Sequence, residues 1–403
     1  MREVLANRAY ARLFSAQVVA LVGTGLLTVA LGLLAYDVAG ADAGVVLGIA
    51  LTIKMVAYVG VAPVVSALTS RVPRKALLVT ADVVRAIVAL SLPFVTEVWQ
   101  VYALVFVLQS ASATFTPAFQ ALIPEVLPDE RQYTRALSLS RLAYDLEALV
   151  SPALAAALLA VVTFHELFVG TVVGFVASAI LVLATALPAR VAAPPSSFVD
   201  RLTRGARVLW RERELRALLA LNIAVAAPTA MVIVNTVVLV QGDLGRAQTD
   251  VALLLAAYGA GSMLVALALP RVLDRIPDRP VMLAGAAAVA LGLVAATGAQ
   301  ALPDAVAWPA LVAVWVLLGA GTAGILTTGP RLIRRAASPD ERPAAFAAQF
   351  SLSHACYLVT YPLAGVLGAS IGLPATALVL AAIAVLGLAL ATTAWRTRVP
   401  AKV

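Results

Sequence analysis

The chain reads as an all-helical membrane protein with twelve transmembrane helices in two six-helix bundles. Three observations predict this. Of 403 residues, 62% are hydrophobic and 12% are charged, roughly half the charge of a soluble domain. The apolar residues gather in twelve blocks, each close to or above the roughly 20 residues a helix needs to cross a bilayer. Positive charge alternates between the junctions. There are 29 Lys and Arg; apart from Lys54, Arg85, Arg141 and Arg246, the other 25 lie at the N-terminus, at every second junction, and at the C-terminus. This positive-inside alternation requires an even number of spans with both ends in the cytoplasm, as in a bacterial-type inner (plasma) membrane.

The blocks run over 13–36, 44–69, 76–95, 100–122, 136–162, 167–188, 216–240, 250–270, 280–300, 307–329, 345–370 and 373–394. They are rich in Ala and Leu and lack period-2 alternation, which excludes membrane strands. The first block is too long for a signal-peptide core and has no clear cleavage pattern, so it is read as a retained helix. The net charge of +8 is spread over the basic junctions and follows topology, so no nucleic-acid partner is expected. The single cysteine, Cys356, leaves no internal disulfide. Short loops without a Ser/His/Asp constellation argue against an enzyme. The lack of a Gly-rich phosphate loop argues against ATP drive, and no cofactor is expected.

The longest basic junction, 189–215, carries Arg190, Arg201, Arg204, Arg207, Arg211 and Arg213. It is read as a linker between a first bundle, 1–188, and a second, 216–403. The halves look like copies. Pro128-Asp129-Glu130-Arg131 follows the fourth block and Pro339-Asp340-Glu341-Arg342 the tenth; Ser138-Leu139-Ser140 and Ser351-Leu352-Ser353 come shortly after. A second pair, Ser70-Arg71-Val72-Pro73-Arg74-Lys75 and Asp274-Arg275-Ile276-Pro277-Asp278-Arg279, follows the second and eighth blocks. Repeated halves are how many secondary transporters enclose a central site.

The stretch Asn7-Arg8-Ala9-Tyr10 with Leu13-Phe14 and Gln17, the run from Phe115-Thr116-Pro117 to Ile123-Pro124, and Phe198-Val199-Asp200-Arg201-Leu202 through Gly205 and Trp210 together resemble the major facilitator superfamily. Within it they resemble the drug:proton antiporters and enterobactin-type exporters. The resemblance covers essentially the whole chain. It implies the major facilitator fold, alternating access, and efflux of a small molecule coupled to protons. The chain departs from the family pattern after the second helix. Ser66, Ser70 and Pro73 replace the two Gly and the Asp of Gly-x-x-x-Asp-Arg-x-Gly-Arg-Lys, while Arg71, Arg74 and Lys75 remain. The second copy keeps Asp274 and Arg275. These five basic and acidic residues are the candidate cytoplasmic gating loops. On the fifth helix the family's Gly-Pro is Ser151-Pro152.

Ionisable side chains inside spans are functional candidates. Lys54 lies on the second helix, Asp82 and Arg85 on the third, and Arg141, Asp145 and Glu147 on the fifth. Asp82 and Arg85 at i,i+3 are expected to form a structural pair, and Arg141 and Asp145 at i,i+4 also have pairing geometry. Asp145 and Glu147 are about 200° apart around a helix, so one can be paired while the other titrates. A carboxylate that alternates between dry and wet surroundings can take up and release a proton. Asp145 and Glu147 are therefore the candidate proton carriers, tuned by Arg141 and Lys54.

The second half offers His354 and Cys356 near Tyr357 and Tyr361. Imidazole and thiolate suit nickel, cobalt, zinc or copper, but the His-x-Cys spacing points the two side chains apart. A divalent-metal exporter is thus the alternative, and no resident metal is expected. Gln17, Gln109, Asn222, Asn235, His354 and Tyr357 are the candidate substrate-cavity residues. Gly170 and Gly174 read as a helix-packing pair. The expected partners are a small-molecule substrate, protons and the lipid bilayer, with the protein a monomer.

Overall fold

The computed structural model describes residues 2–39, 43–70, 72–187 and 197–396. Among them all regular structure is helical: α1 (Arg2–Leu5), α2 (Arg8–Ala39), α3 (Ala43–Leu68), α4 (Arg74–Ser91), α5 (Val98–Val126), α6 (Glu130–Leu159), α7 (Phe164–Leu183), α8 (Phe198–Arg211), α9 (Arg213–Ala230), α10 (Gln248–Leu273), α11 (Asp278–Gln300), α12 (Asp304–Ala336), α13 (Arg342–Ile371) and α14 (Leu373–Arg396). Twelve of these helices are long and apolar enough to cross a membrane. The protein is a multi-pass membrane protein of all-helical class, as the hydropathy blocks predict.

Local chemistry sets the helix starts. The Asn7 side chain accepts from the amides of Ala9 and Tyr10, capping α2. Asp129 accepts from the Gln132 amide at the start of α6, and reciprocal capping boxes open α5 at Glu97/Gln100 and α7 at Thr163/Glu166. Each satisfies amides that the helix itself leaves without partners. Prolines lie inside α3, α5, α9, α10, α12 and α13, which membrane helices tolerate when neighbours re-satisfy the freed carbonyls. Beyond Pro228, the α9 segment continues as two π-helical stretches, Met231–Asn235 and Val238–Asp243.

Packing divides the chain into two compact units, Met1–Gly205 with Pro339–Ser351, and Ala206–Ser338 with Leu352–Val403. The first turns of α13 therefore group with the N-terminal unit. There, Ser351 donates to the Val59 carbonyl, Arg204 pairs with Asp340 at 3.7 Å, and Gly205 meets the backbone of Ala344 so closely that a Cβ would collide. The amphipathic α8 begins in this unit, with Arg201 donating to the Ala67 carbonyl at 3.0 Å. Residues 189–196 of the expected linker, and residue 188 before it, lie outside the described residues.

Each unit uses the same neighbour scheme. In the first, α2 packs on α7, α3 on α5, and α4 on both α5 and α7; in the second, α9 packs on α14, α10 on α12, and α11 on both α12 and α14. Five of the six spans in each half thus share one packing plan. Gly174 lets α7 approach α2, where its Cβ would stand 2.7 Å from the Val19 carbonyl. In the second unit the largest buried side chain, Trp315, donates its indole N–H to Thr236 at 3.1 Å.

Candidate functional site

In the first unit, α3 and α6 carry charged side chains inside the spans. Lys54 and Tyr58 stand one turn apart near the middle of α3, with Lys54 Nζ 5.6 Å from the Tyr58 ring centroid. Tyr58 packs on Phe350 of α13, centroids 4.9 Å apart. Lys54 and Glu147, near the middle of α6, feel each other's charge, yet among the described residues no direct ion pair joins them. Asp145, two residues from Glu147, has a different setting. It is buried, and Arg141 grips it through Nη2 at 2.8 Å and Nε at 3.3 Å. A guanidinium bound to both carboxylate oxygens neutralises that acid in place. The two acids read as equivalent candidates in sequence are thus separated by geometry.

The polar surroundings come from α2 and α6. Ser140 donates to Gln17 Oε1 at 2.9 Å, and Tyr10 donates its hydroxyl to the Ala136 carbonyl at 3.2 Å. Gly25 on α2 faces Ser151 and Glu147; a Cβ there would run into the Ser151 side chain and stand 2.9 Å from Glu147 Oε1. The missing side chain at Gly25 is what accommodates serine at 151.

Asp82 and Arg85 form the expected i,i+3 ion pair on α4. Asp82 is fully buried and also accepts from Ser178 of α7 at 2.7 Å. The Arg85 guanidinium lies between two rings, 4.4 Å from the centroid of Phe115 and 4.5 Å from that of Phe175. These contacts tie α4, α5 and α7 together.

The remaining candidates disperse. Gln109 is half-buried on α5, and Asn222 is buried on α9. Asn235 is also buried, and its Nδ2 donates to the Ala364 carbonyl at 3.2 Å. That side chain is committed to joining two helices of the second unit rather than lining open space. His354 meets Tyr357 edge-on at 5.6 Å, and Tyr357 stacks on Tyr361 at 5.4 Å, an aromatic row along α13. Cys356 donates its thiol to the Leu352 carbonyl at 3.4 Å. Among the described residues no group of three or more His, Cys, Asp and Glu side chains could hold a metal ion.

At the basic ends of the spans, Arg71 lies outside the described residues. Arg74 pairs with Glu125 at the end of α5, and Lys75 donates to the Leu183 carbonyl at 2.9 Å. In the second unit Asp274 and Arg275 are exposed. The buried acid there is Asp278, which sequence reasoning did not single out; it binds Arg331 at 2.7 Å and Arg335 at 2.5 Å. A signal for it was present, since Asp278 aligns with Arg74 in the internal repeat. Its partners on α12 carried none.

The Major Facilitator Superfamily profile matches residues 13–240 and 218–403. The chain belongs to the major facilitator superfamily. Among superfamily relatives, macrolide efflux protein A of Streptococcus pyogenes is 27% identical over 215 residues, 51% of this chain and 52% of that protein. Macrolide efflux protein A of Enterococcus faecalis is 30% identical over 170 residues, 40% of this chain and 52% of that protein. The chain therefore spans about half the length of these relatives. Superfamily structures match nearly end to end. The human organic anion transporter MFSD10 (TETRAN) superposes with a TM-score of 0.80 at 13% identity, covering 95% of this chain and 99% of that one. A bacterial homologue of the iron transporter ferroportin gives 0.79 at 13% identity, covering 96% and 100%. The fucose transporter FucP gives 0.74 at 16% identity, covering 96% and 99%. At such identities the match establishes the major facilitator fold.

Proposed function

We propose that this chain is a secondary transporter that exports a small lipophilic molecule by alternating access, driven by inward proton flow. In this reading two six-helix bundles, 1–188 and 216–403, are joined by the 189–215 linker, and the protein works as a monomer in a bacterial-type plasma membrane with both termini cytoplasmic. The observation that carries it is the contrast between the two acids on α6. Asp145 is neutralised by Arg141, whereas Glu147 makes no ion pair among the described residues. A mid-span carboxylate with a cationic neighbour and no locking partner is suited to carry a proton. Glu147 is therefore the proton carrier, Lys54 its electrostatic partner, and Arg141–Asp145 a fixed element beside it. Export of a drug-like compound is supported by the likeness to macrolide efflux proteins. Gln17, Gln109 and the His354–Tyr357 row are the proposed substrate contacts. Gating falls to the basic loops with Arg71, Arg74, Lys75, Asp274 and Arg275.

The test is reconstitution in proteoliposomes with a pH-sensitive dye and a panel of macrolides and other lipophilic drugs. Wild-type protein is expected to move protons when a transported drug is added. Glu147→Gln is expected to bind drug but to lose drug-coupled proton movement. Full coupling in Glu147→Gln would remove Glu147 from the mechanism, and drug movement independent of a pH gradient would remove proton drive.

A further inference from the structure

Away from the Lys54–Glu147 site, the second unit holds a cavity of about 490 Å³ at the basic ends of α10, α11, α12 and α14. We propose that this cavity binds the phosphate-bearing headgroup of an anionic membrane lipid.

The charge pattern comes first. Four arginines line the cavity, 275, 279, 331 and 335, against three acids, 214, 274 and 278. Asp278 is taken up by Arg331 and Arg335, and Glu214 stands 4.0 Å from Arg335. Arg275 and Arg279 are exposed and make no ion pair among the described residues. Both guanidiniums border the cavity. Guanidinium is the donor best matched to phosphate oxygens, because its planar fork can bind two at once.

The surroundings select the source of the phosphate. The Arg279 guanidinium lies over the Trp395 ring, 5.7 Å from its centroid, so it is held beside an aromatic surface. Ile276, between the two arginines in the same loop, is 44% exposed. A free phosphate ion gains nothing from an exposed isoleucine, whereas a lipid brings apolar glycerol and acyl carbons with its phosphate. The site also lies at the ends of membrane spans, where anionic headgroups concentrate near clustered Lys and Arg. In the first unit Lys75, the counterpart of Arg279 in the repeat, is instead committed to the Leu183 carbonyl.

The test is native mass spectrometry of the full chain in detergent, titrated separately with phosphatidylglycerol, cardiolipin, phosphatidylcholine and inorganic phosphate. Saturable binding of the two anionic lipids over phosphatidylcholine is expected. Arg275→Gln with Arg279→Gln should weaken it on the order of tenfold without altering the melting temperature. A control pair, Arg131→Gln with Arg211→Gln, removes the same charge elsewhere and should leave binding unchanged. Equal loss in both pairs would reduce the effect to net charge and overturn the site. Undiminished lipid binding in the Arg275/Arg279 variant would overturn it as well. Displacement of lipid by millimolar inorganic phosphate would replace the lipid with the free ion.

Discussion

Asp278 and Arg331 are joined at 2.7 Å in the places that Arg74 and Glu125 occupy in the other unit, with the charges exchanged. Pro277 precedes Asp278 as Pro73 precedes Arg74, and Pro330 precedes Arg331 as Pro124 precedes Glu125. The repeat has kept a cross-link between the start of one helix and the end of the next while inverting its polarity. In the second unit the acid is almost fully enclosed, with Arg335 as a second partner.

Removing the buried acid leaves two guanidiniums facing each other. Asp278→Ala is expected to destabilise the protein by about 3–5 kcal/mol. Arg335→Ala removes a half-exposed partner and is expected to change stability by less than about 1 kcal/mol. Thermal unfolding in detergent ranks the two; equal melting temperatures would mean that Asp278 is not the anchor of the cluster.

Asp82 and Arg85 are expected to hold the bundle together rather than to move protons. Asp82→Ala strands Arg85 between Phe115 and Phe175 and should destabilise by about 3–5 kcal/mol, whereas Ser178→Ala should lose about 1 kcal/mol. Drug-coupled proton movement per folded Asp82→Asn molecule should match wild type. A well-folded Asp82→Asn protein without coupling would put this pair in the transport pathway.

Gly25 controls how closely α2 approaches the proton carrier. Gly25→Ala is expected to destabilise by about 1–3 kcal/mol through overpacking against Ser151 and to displace the Glu147 side chain, slowing coupled transport. Adding Ser151→Gly should recover most of the stability, since the two closest contacts are then gone, while the Glu147 carboxylate still has to yield to the new methyl. Failure of the double variant to recover stability would show that the alanine clashes elsewhere.

Much of this was legible in the chain because the relevant physics is local. Arg141–Asp145 and Asp82–Arg85 follow from helical spacing, and both pairs form. The caps at Asn7 and Asp129 follow from the same short-range chemistry. Gly174 was readable as a packing position, and it does sit against α2. What spacing could not supply is the identity of partners on other helices. Ser178 beneath Asp82, Phe115 and Phe175 around Arg85, and Arg331 on Asp278 come from distant segments. Asn235 reads as a cavity residue because it is polar in an apolar span, but an amide in such a span can equally serve a neighbouring backbone carbonyl, as it does at Ala364.

Hydropathy and the alternation of basic loops were enough to specify twelve spans and a helical class, because lipid forces each crossing segment to satisfy its backbone within itself. The repeated motifs were enough to announce two related halves. Which carboxylate on α6 is neutralised, why a serine fits at 151, and where α13 changes company were decided only by tertiary packing. Each depends on atoms brought together from different helices, and a helical period along one segment carries no record of its neighbours.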